Sequence, residues 1–365
     1  MARRLFTGGR VMAVILALSL SGALLLGGCS SKQASAPAGG KEKQAVKAVD
    51  FKLAHFWPST HQMETQVVKE WSKAVEEATG GKVKITSYPA ETLLKSAETY
   101  DGVIKGVADI GISCYAYNRG RFPVMETFML PGIIYNNSRV ASVVASEGAK
   151  QLNPKELQDT KHLMIFATGP GDLFMKSPIR SMADLKGVEI GVTGGPRAEA
   201  LKMLGATPVV LPMPECYEAQ SRGVIKGVLG PLEVLKGFKI GEVTGSITKT
   251  PFLYNQVFYM VMNKEKWASL PPDVQDDFTR ATEKYYREKV IGLWDSIDEV
   301  GLKWAQEKKN PEIITLSEKE IGSWVETVRP VLDDHAKMLD GKGLNGEQTL
   351  KTAKDLAEKY NKDLK

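Results

Sequence analysis

Three cysteines and four histidines among 365 residues leave little for metal or disulfide chemistry to use. His55, His61, His162 and His335 show no ligand spacing with cysteine or carboxylate, and no serine stands in a Gly-x-Ser-x-Gly elbow. Metal-assisted and serine-nucleophile catalysis therefore have no carrier, and no metal or cofactor is expected. The run Gly191 to Gly195 has the glycine content of a phosphate loop but neither spacing that cradles a nucleotide. Excess charge is scarce too: 48 Lys+Arg against 43 Asp+Glu gives +5, and Arg3, Arg4 and Arg10 supply part of it, so nucleic acid is not an expected partner.

What is present is an ordinary globular composition, 43% hydrophobic and 25% charged, in a chain long enough for two lobes. The three arginines precede an apolar run from Val11 to Leu26 that stops at Gly27-Gly28-Cys29. This reads as a lipoprotein signal peptide (residues 1–29) with Cys29 acylated, followed by a flexible tether (30–49); a spanning helix or a twin-arginine signal are the alternatives. The remaining Cys114 and Cys216 fall in different lobes and are expected as two buried free thiols.

The most strongly patterned stretch runs from Pro178 to Leu235. Val188 to Val192 is a short apolar strand between Gly187 and Gly194-Gly195-Pro196. A helix through Ala198 and Leu201 ends at Gly205, a strand follows at Pro208 to Leu211, a helix starts near Pro214, and a third apolar segment closes at Leu229-Gly230-Pro231. This is βαβαβ, half of a doubly wound sheet, whose ligands bind beyond the strand carboxyl ends: Thr193 to Arg197, Met213 to Tyr217 and Leu229 to Glu233. The opening Pro178-Ile179-Arg180-Ser181 with Asp184-Leu185-Lys186-Gly187, then Leu204 to Val209, Met213-Pro214-Glu215-Cys216-Tyr217 and Gly223 to Gly227, resembles the solute-binding subunits of tripartite ATP-independent periplasmic (TRAP) transporters, the DctP-like family. Arg121-Phe122-Pro123, Leu130-Pro131 and Phe252 to Asn263 extend the resemblance over nearly all of the chain after the leader.

The mature chain opens with a second such unit: a strand at Phe51 to Phe56, a helix capped by Thr60 or His61 with Met63, Val67, Trp71, Val75 and Ala78 inward, strands at Val83 to Tyr88 and Ala108 to Ser113, and a helix through Tyr100. Val257 to Met262 returns to this lobe. From Pro271-Pro272 a helical stripe runs to Asn310-Pro311, about 55 Å if unbroken, so it braces both lobes or bends between them. Ser317 with Glu320 predicts a capping box, and Leu350 to Leu364 a closing helix. The fold class is α/β: a two-lobed periplasmic-binding-protein fold, each lobe a doubly wound sheet, with a long helix bracing both. Residues 50–168 plus 256–296 form lobe I, 169–255 plus 297–340 lobe II, and 341–365 a terminal helix.

The resemblance implies capture of a small organic solute outside the cytoplasm, delivery to integral membrane TRAP permease subunits, lipid anchoring on the periplasmic side, and no enzymatic step. It also implies an arginine inside the strand after the Asp-Leu-Lys-Gly turn that grips the substrate carboxylate. That position is Gly191; the crossover position that is sometimes a second arginine falls near Gly171, and the family's Asn or Asp of the third segment is replaced within Lys226 to Gly230. A compact dicarboxylate thus loses its anchors, and an apolar or aromatic monocarboxylate becomes the expected ligand. Candidate ligand contacts are His55 and His61 flanking the first strand's exit, Trp57, Tyr115, Tyr117, Phe174, Tyr217, Tyr254 and Phe258 as an aromatic wall, Thr193 and Leu229 at strand ends, and Arg119 or Arg197 as a relocated anion anchor. Composition and leader alone equally allow an ABC-type binding lipoprotein, and a convergent acid–base cluster would revive a cleft enzyme.

Overall fold

The computed structural model describes residues 48–364; Cys29, the leader and most of the predicted tether lie outside them. Eleven strands form two sheets. In chain order they are β1 Val49–His55, β2 Val83–Tyr88, β3 Ile110–Cys114, β4 Lys161–Ala167, β5 Asp172–Met175, β6 Glu189–Val192, β7 Thr207–Val210, β8 Gly227–Gly230, β9 Ser246–Lys249, β10 Val257–Met262 and β11 Glu312–Thr315. The first sheet has the order β2-β1-β3-β10-β4 and the second β11-β9-β5-β8-β6-β7.

The two sheets repeat one plan. β1, β2 and β3 are parallel, as are β6, β7 and β8, and each trio gains an antiparallel fourth strand, β10 beside β3 and β5 beside β8. Both fourth strands lie next to a crossover, since the chain passes from β4 to β5 through Gly169-Pro170-Gly171 and returns from β9 to β10. Parallel trios with helices between them aim their carboxyl ends, and the loops that leave them, at a common cleft.

Local chemistry explains most boundaries. Helix Pro196–Met203 ends because Gly205 takes φ of +91°, and the turn into β6 needs Gly187 at +71°. Met63, Val67, Trp71 and Val75 bury one stripe of the helical stretch Met63–Ala78, whereas Ala78 is exposed at its end. Of the two proposed caps His61 serves, its Nδ1 accepting the Met63 N–H at 3.0 Å. At Ser317 only half of the predicted box forms: Ser317 accepts from the Glu320 N–H, but the Glu320 carboxylate accepts from Met182 N and Trp324 Nε1. The reciprocal box stands instead at Ser181 and Asp184.

The long helical stripe is interrupted. Pro272–Tyr285 and Leu293–Lys308 are separate helices joined by a widened turn and Gly292. The first packs on the first lobe, with Trp71 Nε1 donating to Thr282 Oγ1 at 3.1 Å. The second starts in that lobe's core with Trp294 and ends with Ala305 in the core of the second, so the brace spans both lobes by bending. Helix Gly346–Asp363 packs on Ser138–Leu152, where Asn361 accepts the Asn136 N–H.

Three strands carry no clear sequence signal: β5, β9 and β11 have four residues each. β5 is the costly omission, because Phe174, expected on the ligand wall, is an interior residue of that strand. It pairs across to Val228 and Ile247 and is fully buried in the second lobe's core.

Candidate functional site

The residues that leave the strand ends of both lobes meet in one narrow cavity of about 20 Å³. Phe56 and Trp57 follow β1, Cys114 ends β3 and Tyr117 follows it, and Phe258 sits on β10 opposite Cys114. From the other lobe come Thr193 after β6, Met213 after β7, and Pro231, Glu233, Val234 and Phe238 after β8. Tyr254 and Gln256, on the return crossover, complete the lining. The rings brace one another: Phe56 stacks on Trp57 at 4.1 Å between centroids, and Phe258 lies 5.2 Å from Trp57.

The lobes also touch through polar pairs at this cavity. The Met213 N–H donates to Tyr117 Oη at 2.9 Å, and His61 Nε2 meets Glu233 Oε2 at 2.7 Å with both side chains buried. Asp298 on the second brace helix accepts the Glu233 N–H at 2.7 Å; burial holds its carboxyl well above the ordinary range.

Behind Thr193 and Tyr254 lies a cation. Arg197 is 1% exposed. Its Nη1 donates to Asn255 O and its Nη2 to Thr193 Oγ1, both at 2.7 Å, and its guanidinium carbon sits 5.2 Å from the Tyr254 ring centroid. Two of five N–H donors are thus accounted for, Nε is buried with no partner, and no carboxylate among the described residues stands within ion-pair distance. Burial lowers its pKa, with Tyr254, Cys114 and Glu126 opposing, and a guanidinium stays protonated regardless.

The expected contacts divide. Trp57, Tyr117, Thr193, Tyr254 and Phe258 line the cavity, and Arg197 adjoins it. The others fall elsewhere. His55 lies one layer back, bonded to Glu64 at 2.9 Å, and His61 stands behind Trp57 and Phe238. Tyr115 packs between Phe122 and Tyr259 in the core, and Leu229 is core as well. Tyr217 turns outward to donate to Glu242 at 3.1 Å. Arg119 is exposed and lines a separate open groove with Glu126, Gly194 and Met338. Sequence reasoning missed Phe56, Cys114, Val234, Phe238 and Gln256 as lining, while Met213, Pro231 and Glu233 fall inside the strand-end lines it marked.

The glycines that replace the resembled family's polar positions are filled from the side. A Cβ at Gly191 would stand 2.7 Å from Ile225 Cδ1, and one at Gly171 would meet Tyr254 Cδ1 at 2.5 Å. Larger side chains there would displace core and cavity groups. Cys114 and Cys216 are free and buried, and burial raises both thiols, that of Cys216 to about 12.

The model of the family described as bacterial extracellular solute-binding protein, family 7 (DctP), matches residues 53–338. Among solved structures, a TRAP solute-binding protein from a marine metagenome, specific for aromatic acid ligands and crystallised with 3-hydroxybenzoate, is 31% identical; the match covers 86% of this chain and 99% of that one, TM-score 0.81. A TRAP solute-binding protein from Rhodoferax ferrireducens with copurified benzoate is 28% identical, covering 87% and 100%, TM-score 0.82. The C4-dicarboxylate-binding periplasmic protein DctP of Rhodobacter capsulatus is 24% identical over 74% of this chain and 81% of that protein.

Proposed function

This chain belongs to extracellular solute-binding protein family 7, a family of transporter binding subunits rather than enzymes, and from that premise we propose that it captures a small aromatic monocarboxylate in the aromatic cavity between its lobes. The observation that carries the reading is Arg197: a buried guanidinium with unused donors and no carboxylate partner, lying directly behind Thr193 and Tyr254 of the ring-lined cavity. A ligand carboxylate completes it, since a charge-assisted Arg–carboxylate contact is among the stronger polar contacts. With the lobes as they stand the cavity holds only about 20 Å³, room for roughly one water, so a ring enters as the wall side chains or the lobes part. With one interior cation and a carboxylate, Glu233, already on the wall, a second ligand carboxylate would lie buried and unpaired, which costs several kcal/mol. The benzoate-bound relative supports the same class.

TRAP solute-binding proteins work outside the cytoplasm with membrane permease subunits. We read Cys29 as the lipid anchor that keeps this one at the membrane surface, so Cys29→Ala should move it from the membrane fraction to the soluble one. Calorimetry on the mature protein tests the ligand class: benzoate should bind and succinate should not, and tighter binding of succinate would sink the reading.

A further inference from the structure

We propose that Glu233 makes this cavity selective for aromatic acids carrying a ring hydroxyl, an inference that rests on the aromatic-acid reading above. Glu233 is 5% exposed and lines the cavity beside Trp57 and Phe238. Its partner is fixed in one tautomer. The Met63 N–H donates to His61 Nδ1 at 3.0 Å, so Nδ1 carries the lone pair and Nε2 the proton that it gives to Glu233 Oε2. Glu233 Oε2 is the acceptor of this pair, which leaves Oε1 to accept from elsewhere.

Two other polar side chains of the wall, Thr193 and Gln256, are occupied, whereas Tyr254 Oη makes no hydrogen bond among the described residues. Thr193 Oγ1 donates to Gln256 Oε1 at 3.1 Å and accepts from Arg197, while Gln256 Nε2 donates to Val257 O at 3.1 Å. Glu233 Oε1 has no hydrogen-bond partner among the described residues, and a ligand that displaces water from it must supply a donor or leave it unsatisfied. A ligand hydroxyl supplies the donor. It fits better than an ammonium because the His61 N–H already shares the charge, and a neutral group enters an aromatic cavity without the desolvation cost of a strongly hydrated cation. Arg197 and Glu233 then read two polar ends of one flat molecule, carboxylate at one and hydroxyl at the other.

The test is calorimetry on the mature protein with benzoate, each ring isomer of hydroxybenzoate, the corresponding methyl ethers and an aminomethylbenzoate. At least one hydroxy isomer should bind about ten- to a hundredfold more tightly than benzoate, and its methyl ether, which keeps the oxygen but loses the donor, should lose that gain. In Glu233→Gln, folding checked by circular dichroism, the ratio of hydroxybenzoate to benzoate affinity should fall below about threefold. Equal affinities in the wild type, a methyl ether as tight as its parent, a ratio unchanged in Glu233→Gln, or the aminomethyl compound binding tightest would each overturn the proposal. If no aromatic acid binds at all, the aromatic-acid reading falls and takes this one with it.

Discussion

The two lobes bring opposite chemistry to one cavity on the same framework of strands. The first contributes Phe56, Trp57, Cys114, Tyr117 and Phe258, all uncharged, since burial keeps the Cys114 thiol protonated. The second contributes the ionised groups, Glu233 on the wall and Arg197 behind Thr193. Each set is held as its task requires. The rings lock one another by stacking before any solute arrives, so little side-chain entropy is left to lose. The ions depend on contacts that cross between parts of the chain, Glu233 with His61 and Arg197 with Asn255. On the proposed reading one lobe measures the shape of the ring and the other its polar ends, and the polar contacts are complete only when the lobes are together.

That division can be broken from either side. Trp57→Ala removes a side chain that is 1% exposed and central to the ring stack; chemical denaturation should show a loss of about 3–5 kcal/mol. Here stability and binding fall together. Arg197→Met should separate them: affinity for benzoate drops by about ten- to a hundredfold, while the melting temperature holds or rises, because a buried cation with no ion-pair partner is replaced by an apolar chain of similar length. A matching fall in melting temperature would mean that Arg197 serves the fold and not the solute. Tyr117→Phe deletes the acceptor of the Met213 N–H between the lobes, and should weaken binding by about tenfold with a larger radius in solution scattering. Unchanged affinity and radius would show that this contact does not govern closure.

In the first sheet β1, β2, β3 and β10 fall within two residues of expectation; in the second only β6, β7 and β8 were legible, and there the reason is turn chemistry. Between Pro178 and Leu235 glycines at required positive φ mark the strand and helix boundaries, so β6 and β7 fall within one residue of expectation, β8 starts three residues late but ends within one, and the lines holding Thr193, Met213 and Glu233 could be drawn. Aromatic identity alone did not sort wall from core. Tyr115 and Tyr117 are two residues apart, yet one is packed among Phe122 and Tyr259 and the other reaches the cavity. Phe56 was missed because β1 ends at His55; beyond the pleat the alternation of faces lapses, and Phe56 and Trp57 both turn to the cavity. The bend in the brace was left open, since a period of 3.6 continues through Tyr286 to Gly292 while the backbone does not.

The smallest effect expected in the wild type is its response to acid, because two buried groups on the first lobe's side oppose each other. Burial pushes His162 on β4 down to about 4 from about 6.5, so the folded protein keeps it neutral. That contribution is present above pH 6.5 and is lost as pH falls toward 4. Burial also raises Glu156 to about 7 from about 4.5, outweighing the N–H groups of Val124 and Met125 that it accepts. Its contribution is present below pH 4.5 and is lost as pH rises through 7. Between 4.5 and 6.5 these two slopes have opposite sign and similar size, so the two contributions largely offset each other in the wild type. Single variants expose each slope: Glu156→Gln should lose stability as pH falls from 6.5 to 4.5, and His162→Asn should lose it as pH rises over the same window, each on the order of 2 kcal/mol. Around β8 the local groups differ, since residues 172 to 254 contain no histidine and Asp298, its carboxyl raised by burial, holds the Glu233 turn. Protection factors from hydrogen exchange should therefore fall with rising pH in β8 more than in β3, and Asp298→Asn should abolish that difference. Equal pH slopes for the two sheets in the wild type would show that burial of these groups does not divide the lobes electrostatically.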